Sequence, residues 1–237
     1  MLLFVFTTLT EKRVEPNILA AEIDQSNFLE LIRRFLYGRL EHSDSDHLLL
    51  SDSDASPEVS LDNLPEVRGK IAVYTSAVAT YYAPSDLSGV GGMHRERIRA
   101  VSKWRNGPAR YDCVYVLTDP EAEGMRGLDI ARVRLFFEFS FKGIKYPCAL
   151  IQWFSRIAEG PDEDTGMWIV QPDKDVSSGL PIRQVIHLDT IVRAAHLIGV
   201  YGDKFLPRGL TFDRSLDVFR SYYVNKFIDH HAYEIAY

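Results

Sequence analysis

The chain has 237 residues, of which 46% are hydrophobic, and its formal net charge at pH 7 is −6. A chain of this length and composition can bury one sizeable core, or one core with an appendage, which excludes a disordered or fibrous protein. The acidic total excludes a surface that binds nucleic acid over its whole extent, but it is compatible with a local basic patch.

The first ten residues are apolar but do not have the pattern of a secretory signal. They are followed by Lys12 and Arg13, whereas a signal carries its basic residues before the apolar stretch. No later run reaches the ~18 apolar residues of a membrane span. We therefore expect a soluble intracellular protein, nuclear or cytoplasmic, that does not bind membranes.

Residues 18–40 carry apolar side chains at an approximately helical spacing, with one interruption. At the interruption, Ser26 or Asn27 is suited to cap a second helix, with Glu30 in its first turn. The pattern predicts a helical N-terminal appendage over residues 1–40.

Between residues 41 and 64 the composition changes to alternating serine and aspartate, as in Ser51-Asp52-Ser53-Asp54. Such a segment cannot bury enough apolar surface to offset its chain entropy. It predicts an acidic flexible linker, of which residues 43–62 make few contacts with the β-rich body. A phosphoacceptor tract or a metal-binding acidic loop is the functional alternative.

The remaining residues, 65–237, have the pattern of a β-rich domain. The runs 133–141 and 146–154 meet at Lys142-Gly143 and predict an antiparallel hairpin, because glycine can take the positive φ of such a turn. We expect a mainly β fold with helical additions (α+β), in which a small β-barrel follows a helical segment. Further strand patterns lie at 70–82, 112–118, 167–170 and 185–201.

The chain has two cysteines, Cys113 and Cys148, and both lie in strand-like runs. Two cysteines alone cannot form a zinc site. We expect both to be buried free thiols, and a disulfide is the alternative.

Residues 70–229 contain an ordered set of motifs after the predicted hairpin. They are Gln152-Trp153-Phe154-Ser155-Arg156, an acidic loop, Trp168-Ile169-Val170, and Ile186-His187-Leu188-Asp189-Thr190-Ile191-Val192. This order resembles bromo-adjacent homology (BAH) domains, which have a Trp-aromatic-x-Arg step after a strand and later an isoleucine-valine segment. The chain departs from them at Ile157, where the family usually has proline. The resemblance implies a divergent BAH-like β-barrel that acts as an interaction module.

A second resemblance covers most of the chain and points to a mobile element. The matching segments are similar to the C-terminal region, beyond the transposase core, of Plavaka-type (KDZ superfamily) DNA-transposon proteins of mushroom-forming fungi. This resemblance implies an accessory or orphaned domain of a transposon. The segments are Tyr81-Tyr82-Ala83-Pro84-Ser85-Asp86-Leu87-Ser88-Gly89, Arg95-Glu96-Arg97-Ile98-Arg99, Gly107-Pro108-Ala109-Arg110-Tyr111-Asp112 and Tyr223-Val224-Asn225-Lys226.

Residues 94–110 form a concentrated basic segment, with six basic residues against Glu96 alone and a formal charge of +5. Guanidinium groups match phosphate in a bidentate fork, and an indole can stack on a base, so the segment predicts contacts with nucleic acid. The alternative is a solvated segment whose arginines pair with the acidic loops at 121–123 or 159–164. The candidate nucleic-acid-binding residues are Arg95, Arg97, Arg99, Lys103, Trp104, Arg105 and Arg110.

Five aromatic residues are candidates for a recognition groove in which ring quadrupoles hold a methylated ammonium group. The alternative is that the rings fill the core, since alternating strand positions divide them between two faces. The nearby Gly89-Val90-Gly91-Gly92 has neither pattern of a phosphate-binding loop. The groove candidates are Tyr81, Tyr82, Trp153, Phe154 and Trp168.

Two local groupings combine histidine with a carboxylate, Asp229-His230-His231 and His187-Leu188-Asp189. Adjacent side chains point apart, so neither grouping has the spacing of a metal site. We expect no catalytic residue, metal or cofactor, and a non-enzymatic module of transposon origin whose partner is DNA or a chromatin protein. The alternatives are a structural or dimerisation domain of a larger transposon protein, and a metal-dependent nuclease.

Overall fold

A computed structural model describes residues 3–6, 12–41, 60–85, 89–202 and 205–237, and for residues 3–6 it describes the backbone alone. The strands are β1 (Leu3–Phe6), β2 (Lys12–Val14), β3 (Ile71–Tyr74), β4 (Ser76–Tyr82), β5 (Met93–Val101), β6 (Arg110–Tyr111), β7 (Cys113–Leu117), β8 (Leu128–Phe141), β9 (Ile144–Arg156), β10 (Ile169–Pro172), β11 (Arg183–His187), β12 (Ile191–Ala195), β13 (Leu197–Gly199) and β14 (Tyr222–Val224). The α-helices are α1 (Pro16–Glu22), α2 (Phe28–Glu41), α3 (Ser215–Val218) and α4 (His230–Ile235). Short 3-10 helices lie at Leu61–Asn63, Gly124–Gly127, Leu188–Thr190 and Phe212–Arg214.

The strands form two sheets, and every strand pairing among the described residues is antiparallel. The smaller sheet has the order β1-β4-β5-β6. The larger follows β12-β7-β8-β9-β10-β14-β13, with β11 also paired to β9, β3 to β8 and β2 to β3. The β structure includes a sheet that curls into a half-barrel. The protein is mainly β with helical additions, which confirms the predicted fold class.

The predicted hairpin is formed by β8 and β9, whose register places Phe141 opposite Ile144. Its turn consists of Lys142 and Gly143, with φ values of 49° and 80°. Two-residue turns with positive φ at both positions match the right-handed twist of the flanking strands. The hairpin prediction is therefore confirmed, including the position of its turn.

Helices α1 and α2 share a hydrophobic cluster with β8 and β9. Phe28, Ile32 and Leu36 lie on one stripe of α2 at a spacing of four residues, and all three are fully buried. The ring of Phe28 meets that of Phe137 edge to face, with centroids 5.2 Å apart. Burial of each of these side chains contributes about 1.5–3 kcal/mol to folding. No helix in the described part of the chain is long and apolar enough to cross a membrane.

Strands β1 and β2 were not predicted from the sequence. They lie within residues 1–40, which were expected to be helical, and they pair with β4 and β3. Most of the expected linker, residues 42–59, lies outside the described residues. Its described end contacts α2, since Arg33 donates hydrogen bonds to the carbonyl oxygens of Leu61 and Leu64 at 2.9 and 2.7 Å.

Two long strand runs are divided in the structure because the chain changes its pairing partner within them. The run 70–82 breaks at Thr75, where the chain passes from β3 in the larger sheet to β4 in the smaller one. The run 185–201 becomes β11, β12 and β13, which pair with β9, β7 and β14. Strand β10 begins at Ile169, two residues after the expected start of the run 167–170.

Both cysteines are buried free thiols, as expected. Cys113 lies on β7 and Cys148 on β9. Burial raises the pKa of Cys113 to about 12 and raises that of Cys148 well above its ordinary value. Since the thiolate is the reactive form, both residues act as small core side chains.

Candidate nucleic-acid interface

Strand β5 carries three candidate arginines on one side. Successive side chains of a strand point to opposite faces, so Arg95, Arg97 and Arg99 point away from the core while Ile98 between them is fully buried. With a rise of ~3.3 Å per residue, neighbouring arginines in this row are about 6.6 Å apart. We call this row, together with residues 103–110 that follow it, the basic face.

Strand β4, which pairs with β5, has no acidic residue and so places no carboxylate opposite this row. Its register sets Thr80 opposite Arg95 and Val78 opposite Arg97. Among the residues that the structure describes, no ion pair involves Arg95 or Arg97. Both side chains are exposed, so their guanidinium groups are accessible to a ligand.

The one acidic residue of the segment, Glu96, points to the opposite side of β5. Its Oε2 accepts a hydrogen bond from the amide of Ala194 at 3.1 Å and lies 3.6 Å from Nε of Arg193. Burial raises the pKa of Glu96, although the charge of Arg193 opposes that shift. The negative charge counted in the sequence thus lies beside Arg193 on the inner side of β5 and not on the basic face.

Three guanidinium groups lie around the ring of Trp104 at the end of the basic face. The guanidinium carbons of Arg99, Arg105 and Arg110 lie 4.5, 5.3 and 5.8 Å from the ring centroid. Such contacts contribute about 0.5–1 kcal/mol each at exposed sites. Arg110 also pairs with Asp112 at 2.8 Å. The indole therefore packs against these arginines, and its role as a stacking surface for a base stays a prediction.

The turn that carries Trp104 is tight and uses left-handed backbone conformations. The amide of Trp104 donates to the carbonyl of Pro108 at 3.0 Å, and that of Gly107 donates to the carbonyl of Trp104 at 2.7 Å. Between them, Arg105 and Asn106 have φ values of 48° and 61°. Asparagine tolerates this region, whereas arginine is destabilised by about 1–2 kcal/mol there. This local cost is offset within the turn, which places Arg105 beside the indole.

Positive charge is concentrated around the end of the row. Partial burial lowers the pKa of Arg99, and the charges of Arg110 and Arg97 lower it further. Lys103, at the start of the turn, is exposed and adds another cation. An anion that binds here would relieve this mutual repulsion.

Tyr82, one of the five candidates for a recognition groove, lies beside the basic face. It is the last residue of β4, on the same side as Thr80, and its partner across the sheet is Met93. Its side chain is 57% exposed. The next outward position on β5 after Met93 is Arg95, so the ring lies at the end of the arginine row opposite to Trp104.

The other four aromatic candidates do not form one groove with Tyr82. Tyr81 points inward and stacks on His231 with centroids 4.6 Å apart. Phe154 and Trp168 are buried in a separate core cluster. Adjacent residues of a strand face opposite ways, which separates Tyr81 from Tyr82 and Trp153 from Phe154. The expected five-residue groove is corrected to two separate places, one at Tyr82 and one at Trp153.

Trp153 lines an open cleft of about 550 Å³ with mixed charge. Its Nε1 donates a hydrogen bond to Oε1 of Gln184 at 2.6 Å. Nearby, Oγ of Ser155 donates to Asp173 at 2.8 Å. The cleft was not predicted, because its lining comes from separate segments of the chain. It is lined by Thr118, Arg126, Asp129, Trp153, Phe154, Ser155, Arg156, Ile157, Ala158, Glu159, Asp173 and Gln184.

No protein-family model, curated protein or solved structure matches this chain. The resemblances to BAH domains and to Plavaka-type transposon proteins therefore stay predictions, and function has to be argued from the geometry of the residues. Within the described ranges, no group of three or more His, Cys, Asp or Glu side chains is arranged to hold a metal ion.

An ion pair behind β5, between a buried arginine and a partly exposed aspartate, was also not predicted from the sequence. Arg193 on β12 is 3% exposed, and its Nη1 and Nη2 donate to the two carboxylate oxygens of Asp229 at 2.7 and 2.6 Å. Its guanidinium also lies 4.9 Å from the ring centroid of Tyr81. Although burial alone would raise the pKa of Asp229, the hydrogen bonds from Arg193 lower it. With Glu96 on the same guanidinium, this network ties the inner side of β5 to β12 and to the start of α4.

Proposed function

We propose that the chain is a non-enzymatic interaction module that binds nucleic acid through the basic face. The observation that carries the proposal is the outward row of Arg95 and Arg97, which have no carboxylate partner within the described residues. Guanidinium groups without a partner retain their full capacity for bidentate hydrogen bonds to phosphate. The resemblances to BAH domains and to a transposon protein support a role with DNA or chromatin, in the nucleus or the cytoplasm.

The charge distribution favours binding of a polyanion at the basic face over the rest of the surface. Residues 94–110 carry +5, and subtracting this from the total of −6 leaves −11 on the rest of the chain. A polyanion is repelled by most of such a surface and attracted by one part of it. Electrostatic steering of this kind raises the association rate and falls steeply with ionic strength.

The test is a salt series of fluorescence anisotropy with labelled DNA. Each neutralised phosphate releases condensed counterions, so about four contacts give a slope of log K against log salt of about −3.6 on duplex and about −2.8 on single strands. The double variant Arg95→Gln/Arg97→Gln removes two contacts, and we expect it to flatten the slope by about 1.4–1.8.

Arg208→Gln/Arg220→Gln is the matched control, since it makes the same charge change at two exposed arginines outside the basic face. It should leave the slope unchanged. Absence of binding by the unmodified protein at low salt would refute the proposal. Equal effects of the two double variants would show that total charge, and not the basic face, governs binding.

A structural or dimerisation role is the second candidate, and exposed apolar side chains near the C terminus favour it. Phe227, Ile228 and Tyr233 are 58%, 51% and 53% exposed, and the rings of Phe227 and Tyr233 lie 5.9 Å apart. Clustered exposed apolar residues are typical of surfaces that bind protein. Sedimentation across a concentration series, with Phe227→Ser as the variant, tests this role: a mass that stays monomeric throughout excludes it.

A further inference from the structure

The ring of Tyr82 lies against Gly92 at one end of the basic face. A Cβ atom on Gly92 would lie 2.8 Å from Cε2 and 3.3 Å from Cδ2 of Tyr82, so the ring occupies space that any other residue at position 92 would need. Gly92 has a φ of +75°, and its carbonyl accepts a hydrogen bond of 2.7 Å from the amide of Ala83, next to the ring. More than half of the Tyr82 side chain nevertheless remains exposed.

Tyr82 and the arginines form one line across the sheet. From Met93, the partner of Tyr82, to Arg99 is six residues of a strand, about 20 Å at the usual rise. Arg95, Arg97 and Arg99 occupy alternate positions of the strand along this line, and the guanidinium of Arg99 lies against the ring of Trp104 at its far end. An exposed aromatic ring beside a track of positive charge is the combination with which proteins hold single strands, since phosphates follow the cations and bases stack on rings.

A duplex fits this arrangement less well than a single strand does. Bases in a duplex are stacked on one another and present only their edges in the grooves, so a ring on a sheet surface has no base face to stack on. The basic face consists of strand and turn residues, with no helix that could enter a major groove. Trp104 is already occupied by three guanidinium groups, which leaves Tyr82 as the exposed ring on this line.

We propose that the basic face binds single-stranded nucleic acid, with phosphates on Arg95, Arg97 and Arg99 and an unstacked base on Tyr82. The inference rests on the proposed function and specifies its ligand. Stacking is tolerant of sequence because every base has a π face, so the proposal predicts little discrimination among bases. DNA and RNA offer the same two contacts, and the experiment compares them.

The test measures binding of the full chain to oligothymidylate and oligouridylate of about 15 nucleotides, within the range of single-strand site sizes, and to a duplex of equal length. We expect tighter binding to at least one of the two single strands than to the duplex. Tyr82→Ala should weaken that binding about 5- to 150-fold, from a loss of about 1–3 kcal/mol of stacking. The salt slope should stay unchanged, because no phosphate contact is lost.

Tyr82→Phe and Tyr82→Leu separate stacking from packing. Phenylalanine retains the ring and should retain the affinity, whereas leucine retains apolar bulk and should behave like alanine. Because Tyr82 is mostly exposed, we expect all three variants to melt close to the unmodified protein. If alanine does perturb folding, the comparison of phenylalanine with leucine still decides the role of the ring.

The outcomes separate this inference from the proposed function. If the unmodified protein binds no nucleic acid at low salt, both fail. If it binds but prefers the duplex, or if Tyr82→Ala and Tyr82→Leu bind single strands as tightly as the unmodified protein, the single-strand assignment is overturned while nucleic-acid binding stands. Preference for RNA or for DNA assigns the natural ligand within the same class.

Discussion

Replacement of Asp229 by alanine tests whether the ion pair behind β5 is as buried as the structure indicates. The carboxylate of Asp229 pairs with Arg193 through both oxygens, and it also caps α4 by accepting a hydrogen bond from the amide of Ala232 at 2.8 Å. Asp229→Ala would leave the guanidinium of Arg193, which is 3% exposed, without its main partner. Breaking a buried pair from one side costs about 3–5 kcal/mol.

The expected loss lies at the lower end of this range, because one carboxylate remains and because the side chain of Asp229 is 33% exposed, so that water screens the pair in part. Glu96 stays 3.6 Å from Nε of Arg193 and compensates part of the charge. Loss of the N-cap adds about 1 kcal/mol. We therefore expect Asp229→Ala to lower the free energy of unfolding by about 3–4 kcal/mol. In a chain of this length the corresponding fall in melting temperature is about 6–16 °C.

Urea denaturation and thermal melting measure this effect directly. Asp229→Asn is the matched control, since asparagine caps helices as well as aspartate does but carries no charge. It should be more stable than Asp229→Ala by about 1 kcal/mol and still well below the unmodified protein. A loss below about 1 kcal/mol in Asp229→Ala, which is the size of an exposed ion pair, would refute the reasoning.

Two further predictions concern a histidine and a turn. Burial and the charge of Arg193 lower the pKa of His231 below its ordinary 6.5, so its contribution to stability is present above that pH and is lost as the pH falls through the folded value. His231→Phe, which can still stack on Tyr81, should reduce the loss of stability seen in urea titrations below about pH 6.5; an unchanged pH profile would contradict this. Gly143 has a φ of +80° and open space where a Cβ atom would lie, so Gly143→Ala should cost about 1 kcal/mol from backbone strain alone. Lys142→Gly, at a φ of 49° in the same turn, should not be destabilising in the same urea assay, and a larger loss than in Gly143→Ala would contradict the turn assignment.

The elements that were predicted correctly are those whose conformation is determined by residues close together in the chain. The hairpin of β8 and β9 follows from two apolar runs and from the need of its turn for positive φ at Lys142 and Gly143. By contrast, β1 and β2 were missed because three or four residues carry too little pattern to identify a strand. Their pairing with β4 and β3 depends on residues more than 50 positions away.

The arginine row of the candidate site could also be derived from the sequence, whereas the position of Tyr82 could not. The basic residues of β5 alternate with others, and a period of two places Arg95, Arg97 and Arg99 on one face whatever the surroundings are. Local periodicity cannot show which aromatic residues share that face. It was the pairing of β4 with β5 that brought Tyr82 to the arginine row and turned Tyr81 into the core.

Properties that depend on a few neighbouring residues could be read from the amino-acid order: a mainly β chain, the turn at Lys142-Gly143, buried cysteines, and a basic segment with its arginines on one side. The partners of the charged residues in that segment depend on the packing of distant strands and helices. Glu96 lies only one residue from Arg95, yet it pairs with Arg193, 97 positions further along the chain, and Arg193 in turn pairs with Asp229. Such pairs are selected by the free energy of burying a charge, which depends on the packing of strands and helices that are distant in sequence.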